Sequence, residues 1–327
     1  MDRSRAFQEG LLAWHDSENK RDMPWKSERD PYKIWLSEII LQQTRVEQGT
    51  SYYLKFVDRF PTVHELAKAS QDKVLQMWEG LGYYSRARNL HETAKYISEK
   101  KGGEFPASYK GLLSLKGVGP YTAAAIGSFA FNLPAPVVDG NSLRLVMRFE
   151  GNDTPINDSS GKKDVYEFLS KAIPHDRPAD FNQALMDFGA TVCKPKNAFC
   201  HQCPLQNCCK AYERNVVHKL PVKRKGKPKR HRYFHYFLVR SEQDLLIEKR
   251  ELDDIWQGLY QFPMLETHDE KPPSVMDIGS FIHLKTDTFK AERLSYHTQT
   301  LSHLYVHAYF YSIDIHQGSS QPPNGIW

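Results

Sequence analysis

All five cysteines of this 327-residue chain fall between Cys193 and Cys209. No other feature of the sequence limits its possible folds as strongly. Cys193, Cys200, Cys203 and Cys209 follow the spacing Cys-x6-Cys-x2-Cys-x5-Cys, and Cys208 abuts the last of them. An odd count packed into one segment does not suit a disulfide framework; it suits a metal centre in a reducing compartment. Four thiolates within 17 residues can close around one iron-sulfur cubane. Zinc is the alternative, although a zinc ribbon more often uses two separated Cys-x2-Cys knuckles. Lys194, Lys196 and Lys210 make the loop basic, as contact with a phosphate backbone requires.

Up to about Lys210 the chain reads as successive helices. Arg3 to Asn19 carries Phe7, Leu11, Leu12 and Trp14 at helical spacing. A loop with an exposed-looking tryptophan follows, Arg21-Asp22-Met23-Pro24-Trp25, the alternative for Trp25 being core packing. Asp30-Pro31 is a helix start, with Asp as N-cap and Pro where a missing N-H costs nothing. The periodicity predicts one helix from Pro31 to Gln48, with Glu38 among Ile34, Trp35, Ile39, Leu41 and Val46. A carboxyl with apolar neighbours has its pKa raised by desolvation, as a general acid at neutral pH requires. The plainer alternative is a solvated Glu38 on the wet face.

Trp78 to Ala87 is a Gly-rich turn whose aromatic residues can wedge between base steps. The helix after it carries Arg86, Arg88 and Lys95 and stops at Gly102-Gly103. Leu115-Lys116-Gly117-Val118-Gly119-Pro120-Tyr121 then reads as a tight hairpin feeding the apolar helix Tyr121 to Phe131. Its free first-turn amides make a sequence-independent phosphate grip from Gly117, Val118 and Gly119. A Pro-containing turn, Asn132 to Pro136, brings Asp139 close to that grip. Phe181 to Gly189 forms another apolar-faced helix leading into Cys193.

The charge balance, 44 Lys and Arg against 39 Asp and Glu, permits a polyanionic partner without demanding one. The chain has no apolar run of spanning length, and its start lacks the apolar core of a secretory signal, so no membrane partner and a cytoplasmic location are expected. Lys219 to Arg232 is strongly basic and reads as an interdomain linker. From Tyr233 the pattern changes to strands, at Tyr233 to Arg240, Leu245 to Lys249 and Leu304 to Tyr311. The expected architecture is mainly α, followed by a smaller α+β domain.

Ser37-Glu38-Ile39-Ile40-Leu41-Gln42-Gln43-Thr44, the hairpin with Asp139 beyond it, and the cysteine spacing together resemble the helix-hairpin-helix DNA glycosylase superfamily. Within it they resemble the MutY-type adenine DNA glycosylases. Trp256-Gln257-Gly258-Leu259-Tyr260-Gln261-Phe262-Pro263 is similar to the Gly-Leu-Trp-Glu-Phe-Pro segment of the C-terminal MutT-like (Nudix-like) domain of those enzymes, and no box of clustered glutamates accompanies it. The resemblance implies a helical glycosylase region over 1–218, with a six-helix barrel over about 28–135 and an iron-sulfur domain made by the N-terminal helix with 136–218. A linker over 219–232 and a MutT-like domain over 233–327 follow. The chain reaches Ile326-Trp327 before the last helix expected of such a domain.

The implied reaction is hydrolytic excision of adenine mispaired with 8-oxoguanine or guanine in double-stranded DNA, by a monomer. Glu38 would be the general acid and Asp139 the stabiliser of the sugar cation, with Tyr121 and Asn141 in support. Arg21, Trp25, Leu41 and Gln183 would line the adenine pocket. Gln43 and Tyr83 would enter the DNA stack, Thr44 would also contact DNA, and Cys193, Cys200, Cys203 and Cys209 would hold a [4Fe-4S] cluster. Ser302 and His303 would read 8-oxoguanine from a loop in which Leu301 stands for the family's Phe. Tyr121 occupies the place where strand-cleaving relatives carry a Schiff-base Lys. The competing readings are an endonuclease III-like glycosylase for oxidised pyrimidines and a non-catalytic iron-sulfur protein that binds damage.

Overall fold

The computed structural model describes residues 2–241, 244–251, 253–283 and 289–315. The chain forms two compact units, Met1–Lys225 and Gly226–Trp327. Among the described residues no helix is long and apolar enough to cross a membrane.

The first unit is helical: α1 Arg3–Ser17, α2 Pro31–Leu41, α3 Val46–Arg59, α4 Val63–Lys68, α5 Gln71–Met77, α6 Ser85–Lys100, α7 Tyr109–Leu113, α8 Pro120–Phe131, α9 Gly140–Glu150, α10 Ser159–Ala172, α11 Pro178–Thr191 and the short α12 Lys210–Glu213. Two predicted signals are realised as written. Asp30 accepts from Tyr32 N at 2.9 Å to cap α2, and Gly102 and Gly103, at φ +62° and +92°, stop α6.

The single helix expected from Pro31 to Gln48 is instead two. α2 ends at Leu41, Gln43 takes a left-handed φ of +57°, and α3 starts at Val46. The apolar spacing runs across this break with no Pro or Gly to mark it. The carbonyls freed at the end of α2 are taken up by a side chain from α6, a distant partner that local periodicity cannot reveal. Among the described residues the 28–135 stretch therefore holds seven helical segments, α2 to α8, where six were expected.

One core joins α1 to α9, α10 and α11 through Phe7, Leu11, Trp14, Leu145, Phe149, Val165, Leu169, Phe181 and Phe188. Phe7 lies edge-on to Phe149, Phe168 and Phe181 at 5.0, 5.2 and 6.3 Å. Cys193, Cys203 and Cys209 pack on the same core, so the cysteine loop rests on the helices that precede it. The buried Asn182 of α11 pins the connection into α9. It accepts from Val137 N at 3.0 Å and donates to Ser128 Oγ and Ala135 O, both at 2.9 Å.

The basic segment expected as a linker from Lys219 is bound to this unit along its first half. Leu220 O accepts from Arg148 at 2.9 Å, Val222 O from Ile156 N at 3.0 Å, and Arg224 N donates to Asn157 at 2.9 Å. Its end, from Arg230, is already strand. Charge patterning could not show most of this, because the anchoring is largely through backbone groups, with one ion pair from Arg224 to Asp158 at 3.1 Å.

The second unit is built on a sheet ordered β2-β1-β7-β6, with β1 Arg230–Ser241, β2 Asp244–Leu245, β3 Glu248–Lys249, β4 Tyr260–Gln261, β5 Met264–Thr267, β6 Phe289–Thr300 and β7 Leu304–Ile315. β1 pairs parallel with β7 and antiparallel with β2 and β5; β6 and β7 are antiparallel, and β3 and β4 form a separate ribbon. Phe237, Val239, Tyr309 and Ile313 face the helix α13 Val275–Ile282, while Phe234, Tyr236, Leu304 and Val306 pack under Ile255, Trp256 and Phe262. Covered on both faces, β1 and β7 are apolar enough to be legible in the sequence.

The strand expected over Leu245 to Lys249 is divided between β2 and β3, because the chain leaves the edge of β1 after Leu246 and pairs Glu248 with Gln261 instead. β6 was not foreseen; it is a largely exposed strand and carries no clean alternation. The expectation concerning Ile326-Trp327 lies outside the described residues.

Because Phe7 is fully buried at the junction of α1 with three other helices, Phe7→Ala should cost about 3 to 5 kcal/mol of stability. Chemical unfolding followed by far-UV circular dichroism measures it, and a change under about 1 kcal/mol would mean that α1 is not part of the core.

Candidate active site

Glu38 and Leu41 from α2, Tyr121 from α8, Asp139 and Asn141 at the start of α9, Gln183, Met186 and Asp187 from α11, and the loop Arg21 to Glu28 all line one cavity. It encloses about 820 Å³ of empty space, counting its open mouth. The four residues expected to hold adenine, Arg21, Trp25, Leu41 and Gln183, are all on its wall, as are the two carboxylates.

Glu38 is 7% exposed. Burial pushes its carboxyl up to about 7, the Tyr121 hydroxyl beside it pulls it partly back, and the nearby Asp139 charge adds to the rise. The alternative of a solvated Glu38 is thereby excluded. Burial and the same two carboxylates hold the Tyr121 phenol protonated well beyond its ordinary range, and its hydroxyl lies 3.8 Å from Met186 Sδ.

Asp139 has a different environment. It is the N-cap of α9, and Oδ1 accepts from the backbone amides of Asn141 and Ser142 at 3.0 and 2.7 Å while Oδ2 accepts from Asn141 Nδ2 at 2.8 Å. The Ser142 hydroxyl closes the capping box at 2.7 Å from Asp139 N. These donors and the positive end of the helix complement a negative charge. Asn141 is held in turn by Arg144, which donates to its Oδ1 at 2.9 Å and also to Gly189 O at 2.6 Å and Cys193 O at 2.8 Å. One turn further, Arg148 donates to Lys194 O at 2.7 Å and meets Cys193 Sγ at 3.5 Å.

The sequence reading missed the residue that organises the pocket wall. Asp187 is 0% exposed. It accepts from Arg21 Nη1 at 2.9 Å, Asn19 Nδ2 at 2.9 Å and Gln183 Nε2 at 3.0 Å, with Lys26 Nζ at 3.4 Å. Two of the expected adenine contacts, Arg21 and Gln183, are thus set by one carboxylate. The i,i+4 spacing of Gln183 and Asp187 was the available signal. Trp25 is half-buried and edge-on to Tyr53 at 5.4 Å, and Thr44, expected to contact DNA, lines the cavity.

Gln43 and Tyr83 project from turns in left-handed conformations, at φ +57° and +48°, and Tyr83 is 48% exposed. Gly117 turns the hairpin at φ +77°, where a Cβ would fall 2.8 Å from Asn89. α8 starts at Gly119 without a side-chain cap. Val118 was expected to offer its amide to phosphate, but that N-H closes the turn onto Leu115 O at 3.1 Å. Gly119 and the first turn of α8 are left for that role.

Cys193, Cys200, Cys203 and Cys209 line a single recess with Arg148 and Phe149, and Cys208 is exposed. Burial pushes the Cys203 thiol up to about 12. Among the described residues no group of three or more His, Cys, Asp or Glu is drawn closely enough together to hold a metal ion. In the second unit Ser302 and His303 sit exposed in the turn between β6 and β7, 3.1 Å apart. Leu301, in the place of the family's Phe, packs with the Phe234 cluster, and its carbonyl accepts from Lys229 at 2.7 Å.

A proton bound to Glu38 up to about pH 7 when folded, but only to about 4.5 when unfolded, makes stability fall as pH rises between those values. Glu38→Gln should therefore stabilise the protein by on the order of 3 kcal/mol at about pH 8 and by little at about pH 5. Urea unfolding at the two pH values tests this, and an equal shift at both would contradict it.

Comparison with known proteins supports one family. Residues 36–175 match the model for HhH-GPD superfamily base excision DNA repair proteins, and residues 235–327 match that for the NUDIX domain. The chain is 38% identical over 258 residues to the adenine DNA glycosylase of Buchnera aphidicola subsp. Baizongia pistaciae (strain Bp), covering 79% of this chain and 73% of that one. It is 42% identical over 218 residues to the adenine DNA glycosylase of Mus musculus, covering 64% of this chain and 42% of that one. Among solved structures it is similar to a thermostable thymine-DNA glycosylase, with a TM-score of 0.60 and 31% identity, over 65% of this chain and 97% of that one. With a helical HhH-GPD unit, a Nudix-like second unit and these relatives, the chain belongs to the MutY-type adenine DNA glycosylase family.

Proposed function

We propose that this protein removes adenine paired with 8-oxoguanine or guanine in duplex DNA by hydrolysing the N-glycosidic bond, leaving the strand intact. The observation that carries this reading is the pair of unlike carboxyls on one cavity: Glu38, buried and titrating near 7, and Asp139, hydrogen-bonded at a helix N-terminus. The adenine is extruded from the stack into the cavity. Trp25 and Leu41 supply apolar wall. Gln183, its amide nitrogen committed to Asp187, presents its carbonyl to the adenine amino group.

Glu38 in its neutral form gives a proton to adenine N7, so the base leaves as a neutral molecule with the electrons of the glycosidic bond. The carboxylate of Asp139 stabilises the positive charge left on the sugar until water adds at C1′ and surrenders a proton to the Glu38 carboxylate left by the first step. Asn141 keeps Asp139 in place through both its side chain and its amide. Tyr121 has no amine, so no Schiff base forms there and strand cleavage does not follow. Gln43 and Tyr83 fill the disturbed stack, while Gly119 and the first turn of α8 hold a phosphate. Ser302 and His303 read the base opposite.

The four cysteines on one recess form a donor set suited to an iron-sulfur group, with Arg148 directed at Cys193 Sγ. Cys193, Cys200, Cys203 and Cys209 would hold a [4Fe-4S] cluster, which when bound would cross-link the basic loop. The protein then acts as a monomer in the cytoplasm, on double-stranded DNA.

Single-turnover adenine release from a duplex with adenine opposite 8-oxoguanine, beside the same duplex with adenine opposite thymine, tests the proposal. Release from the first alone is expected. Asp139→Asn and Glu38→Gln should each slow it at least about 100-fold while mismatch binding persists. Release of an oxidised pyrimidine in place of adenine, or efficient borohydride trapping on DNA, would overturn it.

A further inference from the structure

Arg86 is the second residue of α6, and all the acceptors of its guanidinium belong to two turns. Nη1 donates to Ile39 O at 2.9 Å, Ile40 O at 3.1 Å and Gln42 O at 2.6 Å. Nη2 donates to Leu81 O and Gly82 O, each at 3.2 Å. The first three carbonyls end α2 and lead directly into Gln43. The other two lead directly into Tyr83. The guanidinium also lies 5.1 Å from the Trp78 ring and 5.7 Å from that of Tyr83.

Each turn delivers one exposed non-glycine residue in the left-handed region, a strained conformation that persists only where the surroundings enforce it. A helix end without a glycine cap also leaves carbonyls that need donors. Arg86 meets both requirements at once, and its planar fork is the side chain able to do so across two segments. Packing does not replace it on the flank towards the Gly117 hairpin. There Trp35, Gln42, Arg86, Asn89, Lys116 and Gly117 surround a cavity of about 330 Å³ counting its mouth. Trp35 Nε1 and Arg86 Nε are both buried without a hydrogen-bond partner.

We propose that Arg86 is a positioning residue that fixes the spacing between the two turns, so that Gln43 and Tyr83 enter the DNA stack together and the target base is extruded. The step it governs is extrusion, not DNA binding and not cleavage of the glycosidic bond. This rests on the adenine-excision reading above.

Arg86→Lys keeps the charge but cannot span both turns from one nitrogen, and Arg86→Met keeps the length without donors. The variants are compared with wild type by stopped-flow fluorescence of 2-aminopurine placed beside adenine opposite 8-oxoguanine, by binding to the same duplex with a non-cleavable 2′-fluoro adenosine, and by single-turnover adenine release per titrated active site. Binding within about threefold of wild type, loss of the fast fluorescence rise and release slowed about 100-fold are expected for both variants. A normal fluorescence rise, or a lower active fraction with an unchanged rate per active site, would overturn the role assigned to Arg86. Absence of adenine release by the wild-type protein would overturn the reading beneath it as well.

Discussion

The N-terminus of α9 is the point on which the rest of the helical unit depends. Asp139 is at once the cap of a helix and a wall of the cavity, so the hydrogen bonds that start the helix also orient the carboxylate. The same helix carries Arg144 and Arg148 into the cysteine loop. A side chain whose conformation is set by backbone amides has little freedom left to lose when substrate arrives, which is the condition preorganised electrostatic stabilisation requires. Asn182 secures the approach to this point and Arg144 secures Asn141 beyond it, so both ends of the capping residue are held by buried side chains.

Two buried carboxylates, Glu38 and Asp187, line the same cavity and are treated oppositely. Asp187 is compensated by Arg21, Lys26 and two amide donors, and works as a charged hub that fixes their directions. Glu38 has no cation beside it among the partners that shift it, and it keeps a proton towards neutrality. A buried ion pair is costly to break and therefore rigid. An uncompensated buried acid is costly to ionise and therefore a donor. The difference lies in the neighbours each carboxylate is given, not in burial, which they share.

Much of this was legible in the sequence because it depends on local patterns. The Asp30-Pro31 cap, the Gly102-Gly103 stop, the hairpin at Gly117 and the strongly apolar strands β1 and β7 all announce themselves within a few residues. Glu38 and Asp139 were legible through motif resemblance. What was not legible depends on partners far along the chain: the break at Gln42, enforced from α6; the hub at Asp187, whose partners besides Gln183 come from residues near 20; the anchoring of Leu220 to Arg224, largely by backbone contacts; and the exposed strand β6, which needs β7 to exist. Val118 shows a finer limit. A Gly-x-Gly pattern identifies the hairpin but does not say which amides the turn itself consumes.

Strain and compensation explain why the break at Gln42 is tolerated. A continuous helix from Pro31 to Arg59 would satisfy more backbone groups locally and would keep Gln43 out of the left-handed region. The chain instead exposes the end of α2, and one charged side chain from α6, Arg86, takes up its carbonyls. Glu38 thereby sits in the last turn of its helix with Leu41, and Thr44 beyond the break still lines the cavity. The sacrifice of local regularity is therefore what lets one short segment, Ser37 to Thr44, furnish both a buried carboxyl inside the cavity and a side chain at the exposed turn. Sites that need a residue in each of two environments within a few positions tend to require such an irregularity, since no regular helix offers it.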